Sequence, residues 1–176
     1  MALFLMLISG LLLGKIAWQD FRERAVSVWL LGLLTVTELL KGYARATTEY
    51  LLWQSVRNAT IIFSLLAIVW IYLIVKNRKW MNLFNKGFGS ADLILLLTLG
   101  INLSPMIFVF FMLTGFILAL SITLVFQQFS ASCEPTIPLA GYLSVWAIFV
   151  MILAVVFPQY PPDDDGWLIL VLNVLQ

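Results

Sequence analysis

Two acidic residues stand where acids are costly, and their chemistry is the natural place to begin. Asp20 follows the first apolar run, in Trp18-Gln19-Asp20-Phe21-Arg22-Glu23-Arg24-Ala25-Val26-Ser27, and Asp92 opens a later one, in Gly87-Phe88-Gly89-Ser90-Ala91-Asp92-Leu93-Ile94. An acid in a membrane helix costs roughly 2.5–3.5 kcal/mol near the bilayer centre and less toward the interface, so each is a functional candidate that needs a partner. Two carboxylates held together cannot both ionise, and they share a proton. One can then activate water as a general base while the other donates to a carbonyl or a leaving amide. The chemistry to expect is hydrolysis of a peptide bond by an aspartate pair.

Helix ends suggest how the roles divide. Asp92 lies at a helix N-terminus and is expected to hold the charge, while Asp20 lies at a C-terminus and is expected to hold the proton. Arg22 and Arg24 work against that division, and the pair titrates as a unit. Gly87 and Gly89 offer close backbone approach and a positive φ where the loop turns into the helix, leaving room for a peptide beside Asp92. Ser90 and Ala91 shape the same approach. Taken singly, Asp92 also suits a helix N-cap, and Asp20 suits a solvated partner for Arg22 or Arg24.

The composition sets the medium. Of 176 residues, 62% are hydrophobic and 11% charged, against about 25% charged in ordinary soluble domains. The mean hydropathy is +1.03. The bilayer is therefore the solvent. A net charge of +1 without a basic block argues against nucleic acid as a partner. With no His and one Cys, Cys133, a His- or Cys-based metal site is out of reach, and no cofactor is expected.

Six apolar runs are expected to carry the two acids as membrane helices. They are Ala2 to Trp18, Val28 to Leu40, Asn58 to Val75, Ala91 to Leu103, Met106 to Phe126 and Ile137 to Phe157. Lys15 near the end of the first run and bulky Trp18 after it are the wrong way round for a signal peptide. Asp20 to Ser27 reads as a polar turn, and Lys41 to Arg57 as a mixed loop with Tyr50, Leu51, Leu52 and Trp53 in the interface. Glu38 reads as an interfacial residue near the far headgroups. Phe108, Phe110, Phe111, Trp53, Trp80 and Trp146 read as lipid-facing or belt aromatics. Residues 158–166 read as a loop from their prolines and acids, and Trp167 to Leu175 is too short to cross a bilayer. The fold class is thus all-α, a polytopic helix bundle forming a single domain over residues 1–176.

Counting basic residues orients it. Lys15, Arg22, Arg24, Lys76, Arg78, Lys79 and Lys86 fall on one side; Lys41, Arg45 and Arg57 fall on the other. The first side is expected to be cytoplasmic, with both termini outside. Span parity alone then brings Asp20 and Asp92 to the same face and depth.

These residues resemble a known family. Asp20-Phe21-Arg22-Glu23-Arg24-Ala25-Val26-Ser27 resembles the first aspartate motif of type IV prepilin and preflagellin peptidases, and Gly89-Ser90-Ala91-Asp92 resembles their Gly-x-Gly-Asp motif. Ile137-Pro138-Leu139-Ala140-Gly141-Tyr142-Leu143 looks like the Pro-containing opening of the family's last helix. Ala91 replaces a Gly, and Ile94 stands where many members carry Lys. The cysteine-bearing N-terminal region of the two-function enzymes is missing from this sequence. The resemblance implies a membrane aspartic endopeptidase in the inner membrane, with Asp20 and Asp92 catalytic and the active site toward the cytoplasm. It implies a pilin-like precursor as partner, with a basic leader and an apolar helix, and leader cleavage without methyl transfer. A homodimer is compatible with the sequence. The alternative is a non-catalytic membrane subunit of a pilus or secretion assembly that keeps this fold and binds pilin-like helices. A proton-coupled transporter using the two acids is a third reading, but it leaves the Arg-x-Arg turn and the glycines unexplained.

Overall fold

The computed structural model describes residues 2–77, 89–129, 138–159 and 161–166. The elements are α1 (Ala2–Glu23), α2 (Val28–Arg45), α3 (Thr48–Asn77), α4 (Ser90–Leu99), α5 (Pro105–Phe129) and α6 (Leu139–Val156). Leu13 and Ile16 of α1 meet Leu31 and Leu34 of α2, Leu95 and Leu96 of α4, Phe108 of α5 and Leu143 of α6 in one core. The outer faces are apolar too: Leu7 and Leu11 of α1, Ile71 of α3 and Ile117 of α5 are all exposed. An apolar core inside an apolar exterior is what a bundle dissolved in lipid requires.

Among the described residues, four helices are long and apolar enough to cross a membrane: α1, α3, α5 and α6. That is fewer than the six spans expected. α2 falls short because Glu38, Lys41 and Arg45 interrupt it. α4 has only 10 residues, about 15 Å at 1.5 Å per residue, half a hydrocarbon core.

The short α4 explains much of the polar interior. Its C-terminus ends inside the bundle, where freed carbonyls have no water to turn to. Asn58 of α3 supplies the missing donors, its Nδ2 reaching the carbonyls of Gly100 and Leu103, both at 2.7 Å. Asn102 Nδ2 in turn donates to Glu38, at 2.8 Å to its backbone oxygen and 2.7 Å to Oε2. Lys41 completes the group, pairing with Glu38 Oε1 at 2.7 Å and donating to Ser9 Oγ at 3.4 Å. Glu38 is 3% exposed and Lys41 5%. Glu38 is therefore no headgroup residue but half of a buried ion pair that anchors the end of α4.

Several expected boundaries shift. α1 runs on through Asp20 to Glu23, so the turn is confined to residues 24–27. Gln19 Nε2 donates to Glu23 one turn on, at 3.2 Å, supporting that last turn. The mixed loop at 41–57 shrinks to Ala46 and Thr47, and Tyr50 to Trp53 begin the 30-residue α3. Phe108 and Phe111 lie in the core rather than against lipid, whereas Phe110 and Trp53 are exposed as expected. Trp80 lies outside the described residues.

The loop after α6 folds back over the α5 start. The backbone N–H of Ser104 donates to Pro162 O at 2.9 Å, and the Tyr50 hydroxyl donates to Asp163 O at 3.1 Å. The Asp165 carboxylate accepts from the Ser104 hydroxyl and, at 3.4 Å, from the Ile107 N–H. It acts as a distant N-cap where Pro105 takes the first helical position.

Candidate active site

Three helix ends converge at the opposite end of the bundle from that ion pair: the C-terminus of α1 and the N-termini of α4 and α6. α1 packs against α6 more extensively than against any other helix. Small inward residues on α6, Ala140, Gly141, Ser144 and Ala147, permit that closeness. The contact delivers Asp20, 7% exposed, to the first turn of α6. The N–H of Gly141 donates to Asp20 Oδ2 at 2.6 Å. One residue earlier, the Ala140 N–H acts on the Asp92 carboxylate, which also feels the charge of Asp20. The α6 start thus turns two consecutive N–H groups toward the acids, of which that of Gly141 makes the hydrogen bond. Both N–H groups are ones that a helix leaves unpaired at its beginning, carrying the positive end of its dipole.

Asp20 therefore faces a second helix end that the sequence argument did not include. The α6 N-terminus offsets the α1 C-terminus there, so helix polarity no longer assigns charge to one acid and proton to the other.

Asp92 is the third residue of α4, and its Oδ2 accepts from the Gly89 N–H at 3.1 Å. This is the acidic half of a capping box, so the N-terminal role foreseen for Asp92 exists beside its electrostatic interaction with Asp20. Gly89 has φ −73°, an ordinary extended value, and not the positive φ expected of it. Its glycine is needed for space: a Cβ would lie 2.9 Å from Asp92 Oδ2. Gly87 lies outside the described residues. Ser90 is exposed, and Ala91 packs against the core beneath Asp92.

The two arginines separate. Arg24 closes α1 in the left-handed region, φ 53°, with its N–H on Asp20 O at 3.1 Å, and its charge acts on Asp20. A non-glycine residue held there costs about 1–2 kcal/mol, and strain of that kind clusters at functional sites. Arg22 is exposed on the last turn of α1. Ile94 is 38% exposed and lies two residues, about 200°, around α4 from Asp92. A side chain at 94 points away from the acid pair, which removes the weight of the missing Lys.

Sequence reasoning missed Gly141, Phe21 and Tyr142. A Cβ on Gly141 would lie 3.1 Å from the Phe21 ring and 3.2 Å from Asp20 Oδ2. Phe21, 43% exposed, stands edge-on to Tyr142 with centroids 5.1 Å apart, forming an aromatic wall beside Asp20. The signal was present in the Ala140-Gly141 pair after Pro138, but nothing in the sequence said which helix those small residues admit.

Among the described residues, no three carboxylates or thiols converge to hold a metal ion. What the arrangement offers is acid–base chemistry: two neighbouring carboxyl groups, each with a fixed donor, at a boundary between polar turns and apolar helices. A scan against protein-family models gives no match, and neither a curated protein nor a solved structure matches the chain significantly.

Proposed function

We propose that this chain is a membrane aspartic endopeptidase that removes the basic leader from pilin-like precursors, with Asp20 and Asp92 activating water between them. The observation that carries the reading is that Asp20, held by the Gly141 N–H at 2.6 Å, and Asp92, held by the Gly89 N–H at 3.1 Å, lie near enough for their charges to interact. One acid in the ionised form takes a proton from water while the other, protonated, donates to the scissile carbonyl. As the gem-diol collapses, the first acid passes its proton to the leaving amine and the second takes one back from a hydroxyl. Fixed donors hold both groups in place, so little reorganisation is needed during the reaction. The membrane setting is supported by four apolar helices of spanning length. In the full proposal α2 makes a further crossing and α4, with the turn at residues 100–104 that follows it, the sixth. The acid pair then faces the cytoplasm at the inner membrane, as the distribution of basic residues argues.

A second reading has its own support. Asp92 closes the start of its own helix through Gly89, a use that would preserve it in a subunit that binds pilin-like helices without cutting them. Co-expression with a pilin-like precursor separates the two. The wild type should shorten the precursor at the junction of leader and apolar helix, and Asp20→Asn or Asp92→Asn should not. Intact processing by both variants would overturn the enzyme reading, and binding without processing by the wild type would favour the subunit.

A further inference from the structure

Between α3 and α5 lies an apolar crevice of about 500 Å³. Ile62 and Val69 of α3 line one wall, Leu113 and Phe116 of α5 the other, and Leu96 of α4 the floor, with Leu139 closing one end. Its lining carries no charged side chain. Val69 and Leu113 remain 48% and 55% exposed, so the crevice opens sideways toward the lipid.

Its position matters more than its polarity. Leu96 follows Asp92 by four residues and so shares its face of α4, one turn along. Leu139 directly precedes Ala140, whose N–H acts on Asp92. The floor and the closed end of the crevice are thus the immediate chain neighbours of the acid pair. Ile62 to Val69 spans about 10 Å, or two helical turns.

We infer that this crevice seats the apolar segment of the peptide substrate, about two turns of helix entering from the bilayer, with the bond to be cut delivered at the Leu139 end beside Asp92. The inference rests on the peptidase reading above and says where on this chain the apolar part of that substrate is held. A lipid acyl chain would also fill such a volume, but it brings no amide to the end where the carboxylates stand. Continuity with the acid pair favours the peptide.

The test uses the full chain in vesicles, with Cys133→Ser and Asp92→Asn to hold substrate without turnover. A single cysteine is placed in the crevice, Leu113→Cys or, should that variant fold poorly, Val69→Cys. The control is Ile71→Cys on the opposite face of α3, 56% exposed to the same lipid. The probe is a synthetic peptide with a polar leader and a Leu/Ala helix of ~20 residues, bearing one cysteine in the second turn. Disulfide crosslinking should exceed the control by roughly tenfold, the ratio expected if one buried anchor contact is made in the crevice alone. Filling the crevice with Val69→Trp in the active chain should raise KM roughly tenfold at unchanged kcat, as loss of uniform binding does. Equal crosslinking at 113 and 71, or a Val69→Trp chain with unaltered KM for this peptide, would overturn the inference and leave the crevice to acyl chains. Crosslinking at 113 by a chain whose wild type never cuts the peptide would uphold the crevice while refuting the peptidase.

Discussion

Gly141→Ala adds one methyl group at the contact between α6 and Asp20. Its Cβ would lie 3.1 Å from two atoms of the Phe21 ring and 3.2 Å from Asp20 Oδ2, where ordinary contact begins at 3.4 Å. Ring and carboxylate must yield by about 0.2–0.3 Å, and the carboxylate is the group already drawn to 2.6 Å from the Gly141 N–H. Overpacking of this kind costs about 1–3 kcal/mol, offset by the about 0.5–1 kcal/mol that Ala gains over Gly inside a helix. Stability should therefore fall by no more than about 2.5 kcal/mol. Activity should suffer more. If a displacement of about 1 Å costs about a hundredfold, a few tenths at one of the two acids should lower kcat about three- to tenfold. Thermal unfolding in detergent reads the first effect and single-turnover cleavage of a precursor peptide reads the second. Gly10→Ala and Gly14→Ala are the controls, since nothing lies within 4 Å of the added Cβ at either position. They should be neutral or slightly stabilising, with full activity. Gly141→Ala turning over like wild type, or slowing no more than Gly14→Ala, would refute the role given to the α6 start.

The buried pair of Glu38 and Lys41 should show strong coupling. Lys41→Met alone leaves Glu38 charged and unpaired in the interior, at a cost of about 3–5 kcal/mol, whereas Glu38→Leu with Lys41→Met should cost clearly less than the summed single changes; additivity in thermal unfolding would contradict the pairing. Asp165→Ala removes the distant cap on α5 and should cost about 1 kcal/mol, read as faster hydrogen exchange at residues 106–108, while Asp165→Asn should keep part of the protection. Exchange unchanged in Asp165→Ala would mean that the loop after α6 does not hold the α5 start.

What could be read from the sequence followed from apolar length and parity. The runs that became α1, α5 and α6 are apolar along most of their length, and two acids separated by two expected spans return to one side. What stayed hidden depended on partners distant in sequence. Glu38 and Lys41, three residues apart, look like interfacial charges until the short α4 ends beside them, where Asn58 takes the freed carbonyls and Asn102 donates to Glu38. Phe108 and Phe111 look like belt aromatics because nothing in an apolar run tells the lipid face from the core. Gly89 stands out in the sequence for the φ a glycine can take, whereas the structure gives it an ordinary φ and folds the Asp92 carboxylate against it. Gly141 lay within a recognised stretch, and its meaning required knowing that α1 docks there.

The central claim is that Asp20 and Asp92 act together on water, each indispensable to cleavage and neither to binding. The most direct measurement compares the purified wild type with Asp20→Asn and Asp92→Asn under single-turnover conditions, on one precursor peptide, with peptide binding followed in parallel. The account predicts that each substitution slows cleavage by about a thousandfold or more while leaving the peptide bound as tightly as in the wild type. A variant of either aspartate that still cuts within about tenfold of the wild-type rate would contradict it, because one carboxyl group cannot both take the proton from water and donate one to the scissile carbonyl at the same moment.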